Sequence, residues 1–293
     1  SEEFNLLKYA NNFSFRSNKL KNTQLNEYWL NRISKKYNKI SLDKNLEDSF
    51  NTKNIYPIFI IGLPRCGSTL LESIISSGTD KIDNFGETNL VNWAFLNTNK
   101  NFLSTSNQKN EKIKIDLNLT AKRLISSFSN LISNKNTEKI FFLEKSLENF
   151  YYIDLIFNIY PNAKFINPNR NIIDNIFAIY KQFLPNISWS HSIENILSYI
   201  DNYLSVIDHF KTKYPDKILS ISLEDFTNNP KKLSKKIYKF CNLRWNDKCL
   251  NFYNRNDLFI NTASNNQIRT SVKKYNNKKY KPYKKIIKNY FDK

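Results

Sequence analysis

The segment Ile58-Phe-Ile-Ile-Gly62-Leu-Pro64-Arg65-Cys66-Gly67-Ser68-Thr69-Leu70-Leu runs from an apolar stretch through a tight Gly/Pro turn into a series of small residues. That order predicts a strand, a loop and a helix start. Glycines let such a loop turn sharply, while backbone N–H groups and the positive end of the helix dipole converge on an anion. Gly62 and Gly67 stand at the spacing of the nucleotide-binding pattern G-x-x-x-x-G-K-[ST], but Ser68 occupies the lysine's place. A phosphoryl-transfer enzyme built on that pattern needs the lysine on the β- and γ-phosphates, together with a Mg²⁺ held by the Ser/Thr and a second-strand Asp. Here the loop carries Arg65 as its cation, and the hydroxyls of Ser68 and Thr69 add donors.

The pattern G-x-P-R-[SC]-G-[ST]-T resembles the 5'-phosphosulfate-binding loop of sulfotransferases that use 3'-phosphoadenosine 5'-phosphosulfate (PAPS). The resemblance is strongest to the branch of tyrosylprotein sulfotransferases and bacterial enzymes linked to tetratricopeptide repeats. It implies a P-loop-like three-layer α/β fold, a donor bound by Pro64 to Leu70, and no metal. A Gly-Glu after the loop carries the general base in that branch, which points to Glu87 in Phe85-Gly86-Glu87; a carboxylate within hydrogen-bond reach can take the acceptor proton as oxygen attacks sulfur. Lys145, in Phe-Leu-Glu-Lys-Ser-Leu-Glu-Asn149-Phe, matches the family lysine before Asn-Phe. Without Mg²⁺, the charge growing on the transferring group must be met by fixed cations, and Lys145 and Arg65 are the candidates.

Further along, Phe165-Ile-Asn-Pro-Asn-Arg170 resembles the 3'-phosphate-binding segment, where Arg170 would grip a phosphate bidentately. Gln182 agrees with the bacterial branch. Ala178 departs from it, because the family has a Ser there; the lost hydroxyl contact is worth about 1 kcal/mol of donor binding. Ser222-Leu-Glu-Asp-Phe-Thr-Asn-Asn-Pro230 looks like the family's strand-to-helix turn, with Leu223 for the usual Tyr. Asn261-Thr-Ala-Ser264-Asn-Asn-Gln-Ile-Arg269 matches the family's Thr-Ala-Ser and Gln-Val-Arg. By the resemblance, Ser264 helps stabilise the transferring group, while Arg269 and Lys279 close over the nucleotide.

These residues need a scaffold. Strand patterns at Ile58 to Gly62, Lys139 to Glu144, Lys164 to Asn167 (closed by Pro168) and Lys217 to Leu223 alternate with helical patterns at Gly67 to Ser77, Leu117 to Ile132, Asn149 to Tyr160, Asp174 to Phe183, Ile193 to Lys213 and Lys231 to Cys241. Such alternation predicts a mostly parallel sheet flanked by helices, with ligands at the strands' carboxyl ends, where Arg65, Lys145 and Arg170 fall. Residues 1–54 read as a helical arm (Asn5 to Phe13, Leu25 to Lys36), compatible with the tail of an upstream helical repeat region; 55–293 is the catalytic domain. Lys100 to Lys112 is polar loop. Lys273 to Lys293 reads as a solvated basic helix, or as a lid over the anion site.

The chain has 293 residues, 15% of them aromatic, so Phe and Tyr carry much of the burial. Its net charge of +19 attracts anionic nucleotides or acidic partners; part of the excess is a bias towards Lys and Asn. Three cysteines suggest a reducing compartment rather than a disulfide scaffold. Neither His191 nor His209 has a ligand-spaced partner, so no zinc site is expected. With no apolar span and no signal-peptide pattern, a soluble, cytoplasmic protein is expected, with no specific nucleic-acid partner.

Taken together, the sequence predicts sulfuryl transfer from PAPS to a hydroxyl on a peptide, carbohydrate or small molecule. A peptide tyrosine is the acceptor towards which the resemblance leans, and a basic cleft would suit acidic residues around it. The rival readings are a P-loop nucleotide kinase and a non-catalytic anion or nucleic-acid binding module.

Overall fold

The computed structural model describes residues 2–39, 51–100, 102, 116–133, 137–255, 269–276 and 280–291. Strands β1 (Ile55–Ile60), β2 (Ile82–Gly86), β3 (Ile140–Glu144), β4 (Lys164–Asn169) and β5 (Ile218–Ser222) form one sheet in the order β2-β3-β1-β4-β5. All four pairings are parallel. From β1 the chain crosses first towards β2 and later, by way of β3, to the other side at β4. The reversal opens a crevice at the carboxyl end of β1, the place where ligands bind in such sheets.

Period-two alternation explains why β1 is apolar throughout. Phe59 and Ile61 point into one core with Phe142 and Phe165, whereas Ile58 and Ile60 point into a second core with Leu143, Ile166 and Ile221. Both faces of the sheet are therefore covered. The first core is largely aromatic: Phe59 stacks on Phe165 with ring centroids 5.5 Å apart, and Phe142 lies 4.7 Å from Phe128 and 5.1 Å from Phe85. Truncating one of these rings to Ala costs about 3–5 kcal/mol.

Pro168 does not close β4, contrary to the sequence expectation; it lies inside the strand and pairs with Ile221. The amide of Ile61 donates to the carbonyl of Ile166, the last point at which β4 bonds β1. Two residues on, the amide that proline lacks would face the same side, where β1 has already ended, so no ladder bond is lost.

The helices begin with α1 (Glu2–Ser17), α2 (Lys19–Asn26), a π-helical turn (Glu27–Arg32) and α3 (Ile33–Lys36), longer than the two short helices predicted. They are bound into the first core through Phe4, Tyr28 and Ile33. Tyr28 also hydrogen bonds the Tyr152 hydroxyl at 2.6 Å and Asn92 at 2.9 Å. Next come α4 (Ser68–Ser77), α5 (Leu90–Thr98), α6 (Leu117–Leu131), α7 (Ile153–Ile159), α8 (Ile172–Gln182), α9 (Ile193–Lys213), α10 (Leu223–Asn228), α11 (Pro230–Phe240) and α12 (Lys284–Phe291). The predicted helix from Asn149 begins as a 3-10 turn, Leu147–Tyr152. Most of the predicted loop from Lys100 lies outside the described residues.

The basic C-terminal segment is not merely solvated. Tyr283 stacks on Phe177 of α8 at 3.9 Å, Tyr280 packs against the same ring, and Ile287 is fully buried. Among the described residues no helix is long and apolar enough to cross a membrane.

Candidate active site

The loop between β1 and α4 turns where the sequence places its glycines. Gly62 adopts φ +139° and Gly67 φ +98°, in the region that favours glycine. A Cβ on Gly67 would lie 2.8 Å from Leu223 Cδ1. As N-cap of α4, Gly67 offers no side-chain acceptor to the amides of the helix's first turn. The loop carbonyls are turned away from that end: Asn175 Nδ2 donates to the Pro64 carbonyl at 2.9 Å, and Arg170 Nη1 to the Arg65 carbonyl at 3.1 Å. Arg65 itself holds φ +65°, a strained value for a side-chain-bearing residue. Burial and the neighbouring Arg170 lower its pKa. Cys66 is buried, and burial pushes its thiol up to about 11, so it contributes packing and backbone rather than a thiolate.

Two cavities meet at this loop, sharing Arg65, Ser68 and Thr69. One, of about 510 Å³, is lined by Gly67 and Leu70 of the cradle, by Arg170, and by the C-terminal residues Lys273, Lys274 and Tyr275. The Arg170 guanidinium stacks against the rings of Tyr275 and Tyr280 at 5.1 and 5.5 Å, and its Nη2 donates to the Tyr275 hydroxyl at 2.7 Å. That hydroxyl also bonds Asp174 Oδ2 at 2.6 Å. Among the described residues the buried Nε of Arg170 has no partner, leaving a donor for a bound anion. Arg65 and Arg170 thus face one hollow.

The second cavity, of about 690 Å³, opens on the other side of the loop. Glu87 stands on its wall, directly after β2. The β2 register shifts between Asn84 and Gly86, and Gly86 has φ +66°; irregularities of this kind re-aim the side chain that follows. The backbone around Glu87 is fixed on both sides. Lys145 N donates to the Gly86 carbonyl at 2.8 Å, and Glu144 accepts from the Thr88 hydroxyl at 2.9 Å. Glu144 is fully buried and also accepts from the amide and hydroxyl of Ser146 and from Asn149 Nδ2. Burial raises its pKa against those donors.

Lys145 is wholly buried, and its Nζ pairs with Glu87 and, at 3.4 Å, with Glu72 of α4. Glu87 remains half exposed towards the cavity, whereas Glu72 is buried, which raises its pKa. Two carboxylates therefore flank one lysine, and the outer one faces solvent. Sequence reasoning missed Glu72, because Thr69, Glu72, Ser73 and Ser76 recur at helical spacing and read as a solvent face, whereas the fold buries all four. It also missed Glu148, which lines the cavity and whose carboxyl is pushed up to about 7, first by burial and then by Glu144 and Glu87.

Not every expected residue reaches these cavities. Gln182 ends α8, a helix of 11 residues and so roughly 16 Å long, and lines neither cavity. Arg269 donates to the Arg255 carbonyl at 3.1 Å, beside but not on the cavity wall formed from Thr270 onwards. Ala178 is buried within α8 away from both walls. Ser264 and Lys279 lie outside the described residues.

A glycine loop at the switch point of a parallel sheet, with a carboxylate–lysine pair on the adjoining wall, defines a P-loop-like α/β fold. The chain belongs to the sulfotransferase family, whose model matches residues 57–247. The sulfotransferase domain of the Synechococcus PCC 7002 olefin synthase superposes with a TM-score of 0.56 at 16% identity, over 85% of this chain and 98% of that one. The sulfotransferase domain from the curacin biosynthetic pathway superposes with a TM-score of 0.53 at 16% identity, over 82% and 98%. An uncharacterised protein of Aquifex aeolicus (strain VF5) is 24% identical over 238 residues, which are 79% of this chain and 31% of that protein. The chain thus spans about a third of that relative's length.

Proposed function

We propose that the protein transfers a sulfuryl group from PAPS to a hydroxyl acceptor, with the donor in the cavity of Arg170 and the acceptor in that of Glu87. The observation that carries this reading is the meeting of the two cavities at Arg65, Ser68 and Thr69, which would set an acceptor oxygen in line with a sulfuryl group held on the loop. The donor supplies the sulfur electrophile and leaves as adenosine 3',5'-bisphosphate (PAP).

The chain's residues divide the remaining work. Glu87 takes the acceptor's proton while the new O–S bond forms and the bond from sulfur to the 5'-phosphate oxygen breaks. Lys145 and Arg65 meet the negative charge that builds on the leaving and equatorial oxygens. Glu72 keeps Lys145 compensated when Glu87 is engaged with the acceptor. Arg170 holds the 3'-phosphate, with Ser68, Thr69 and the first-turn amides of α4 on the 5' side. Ser264 supports the transferring group, and Arg269 and Lys279 close over the nucleotide, as the family resemblance implies. A peptide tyrosine is one hydroxyl that such a site could accept.

Calorimetric titration with PAP and with ATP, followed by ³⁵S transfer from labelled PAPS in EDTA, tests the reading. Tight, stoichiometric PAP binding and EDTA-insensitive transfer are expected. A preference for ATP with no ³⁵S transfer would return the site to the kinases, and ³⁵S transfer abolished by EDTA would overturn the metal-free mechanism.

A further inference from the structure

We propose that the acceptor cavity selects a hydroxyl compound that also carries a protonated or quaternary amine, gripped by the Glu148 carboxylate and tryptophan rings. The inference rests on the sulfuryl-transfer reading of the same site.

Charge is the first observation. The chain carries 45 Lys and Arg against 26 Asp and Glu, yet among the described residues no lysine lines this cavity, while Glu87 and Glu148 do. Its one arginine among them, Arg65, sits at the junction with the donor cavity and so faces the sulfuryl group. Glu87 is engaged by Lys145. Glu148 has no ion pair among the described residues, which leaves a carboxylate for the ligand. An anionic acceptor would meet that carboxylate unpaired, whereas a cation would compensate it.

Aromatic composition is the second. Of the chain's four tryptophans, Trp29, Trp93 and Trp189 line this one cavity. Trp29 arrives on the π-helical turn, a feature frequent at functional sites, and Trp189 is braced by stacking on Tyr199 at 3.8 Å. Indole rings beside a carboxylate are the arrangement that recognises ammonium groups. A third observation marks the same wall as a binding surface: Ser188, buried at 2% exposure, lines the cavity with an Oγ that has no hydrogen-bond partner among the described residues.

The titration of Glu148 gives the selection a pH signature. Its charged surroundings are Glu144, Glu87 and Lys145, with the hydroxyls of Tyr28, Tyr152 and Tyr199 close by and Arg65 across the cavity. With its carboxyl pushed up to about 7, it is partly protonated near neutrality. An ammonium group favours the ionised form, so amine acceptors lose efficiency as pH falls below that value, while neutral acceptors of the same shape lack this component.

Matched pairs test the proposal: tyramine against 4-ethylphenol, glucosamine against glucose, and choline against 3,3-dimethylbutan-1-ol, with an acidic tyrosine peptide as the anionic arm. The amine of each pair should show about tenfold higher kcat/KM in ³⁵S transfer. In Glu148→Gln that ratio should fall towards one and lose its pH dependence, with PAP affinity unchanged. Saturation-transfer NMR with the same pairs on nucleotide-free protein reads cavity selectivity without the donor. Failure of PAP to bind sinks the sulfuryl-transfer reading; amines that bind and react no better than their neutral partners, or a preferred acidic peptide, overturn the amine proposal.

Discussion

The two cavities on either side of Arg65 are built on opposite plans. On the donor side Arg65, Arg170, Lys273 and Lys274 line the wall, and among the described residues no carboxylate does. On the acceptor side, among the described residues, two glutamates and three tryptophans surround a single guanidinium. A net charge of +19 therefore describes the surface and the donor cavity but not the acceptor wall. Global charge governs encounter, whereas the wall within a few ångströms of the reacting oxygen governs selection.

The sharpest way to break this division is to remove Glu87. In Glu87→Ala, kcat should fall by about 10²–10⁴, the usual contribution of a positioned base, while calorimetry finds PAP affinity intact. Lys145 keeps Glu72 as partner in that variant, so the buried charge stays compensated. Transfer near the wild-type rate would move the base elsewhere. The complementary cut is Arg170→Ala, which should weaken PAP by roughly 10- to 100-fold, the worth of a charge-assisted contact, and leave the acceptor KM alone. Arg170→Lys, which keeps the charge and loses the fork, should fall between. If both variants shift the acceptor KM as much as PAP affinity, the cavities are not separate in function.

The donor side was legible because one contiguous loop builds most of it. Gly62, Pro64, Arg65 and Gly67 declare the turn through their backbone preferences, and the apolar run before them declares the strand. Strand order was less accessible, yet the alternation of strands and helices was enough for a parallel sheet with the site at its carboxyl edge. Pro168 misled because its effect depends on where the neighbouring strand ends, which only the register reveals. The acceptor wall was illegible for a related reason: Trp29, Trp93 and Trp189 come from three separate elements, and nothing in the local spacing of any one of them announces the other two. Glu72 and Tyr275 are likewise defined by what they reach, Lys145 and Arg170, across the fold. Gln182 shows the converse, a motif match that lines neither cavity although Leu184, two residues on, lines the acceptor one.

Gly67 sharpens the donor side without touching a charge. Gly67→Ala places a Cβ 2.8 Å from Leu223 Cδ1 on a backbone at φ +98°, so two penalties add and about 2–3 kcal/mol should be lost in urea unfolding. Adding Leu223→Ala relieves the contact but not the backbone strain. A double-mutant cycle should therefore show a favourable coupling with recovery only in part. Full recovery would mean that the positive φ costs nothing and that the glycine is there for packing alone.

The smallest effect belongs to the acceptor side and is read as stability against pH. Burial lifts Glu148 from its ordinary value near 4.5 to about 7, so the native state binds this proton more tightly than the unfolded chain does. The corresponding stabilisation is fully present below pH 4.5 and is lost as pH rises through 7. A shift of this size would carry about 3 kcal/mol if the group were dry; because Glu148 is partly exposed, about 1 kcal/mol is the expected share. Glu72 and Glu144 are shifted in the same direction by burial, so the whole protein should lose stability between about pH 5 and 8 and the substitution should remove only part of the slope. Urea midpoints at the two pH values, for wild type and Glu148→Gln, measure the difference. Identical slopes would mean that water reaches this carboxyl freely and that its burial contributes nothing to the contrast between the acidic acceptor wall and the basic donor wall.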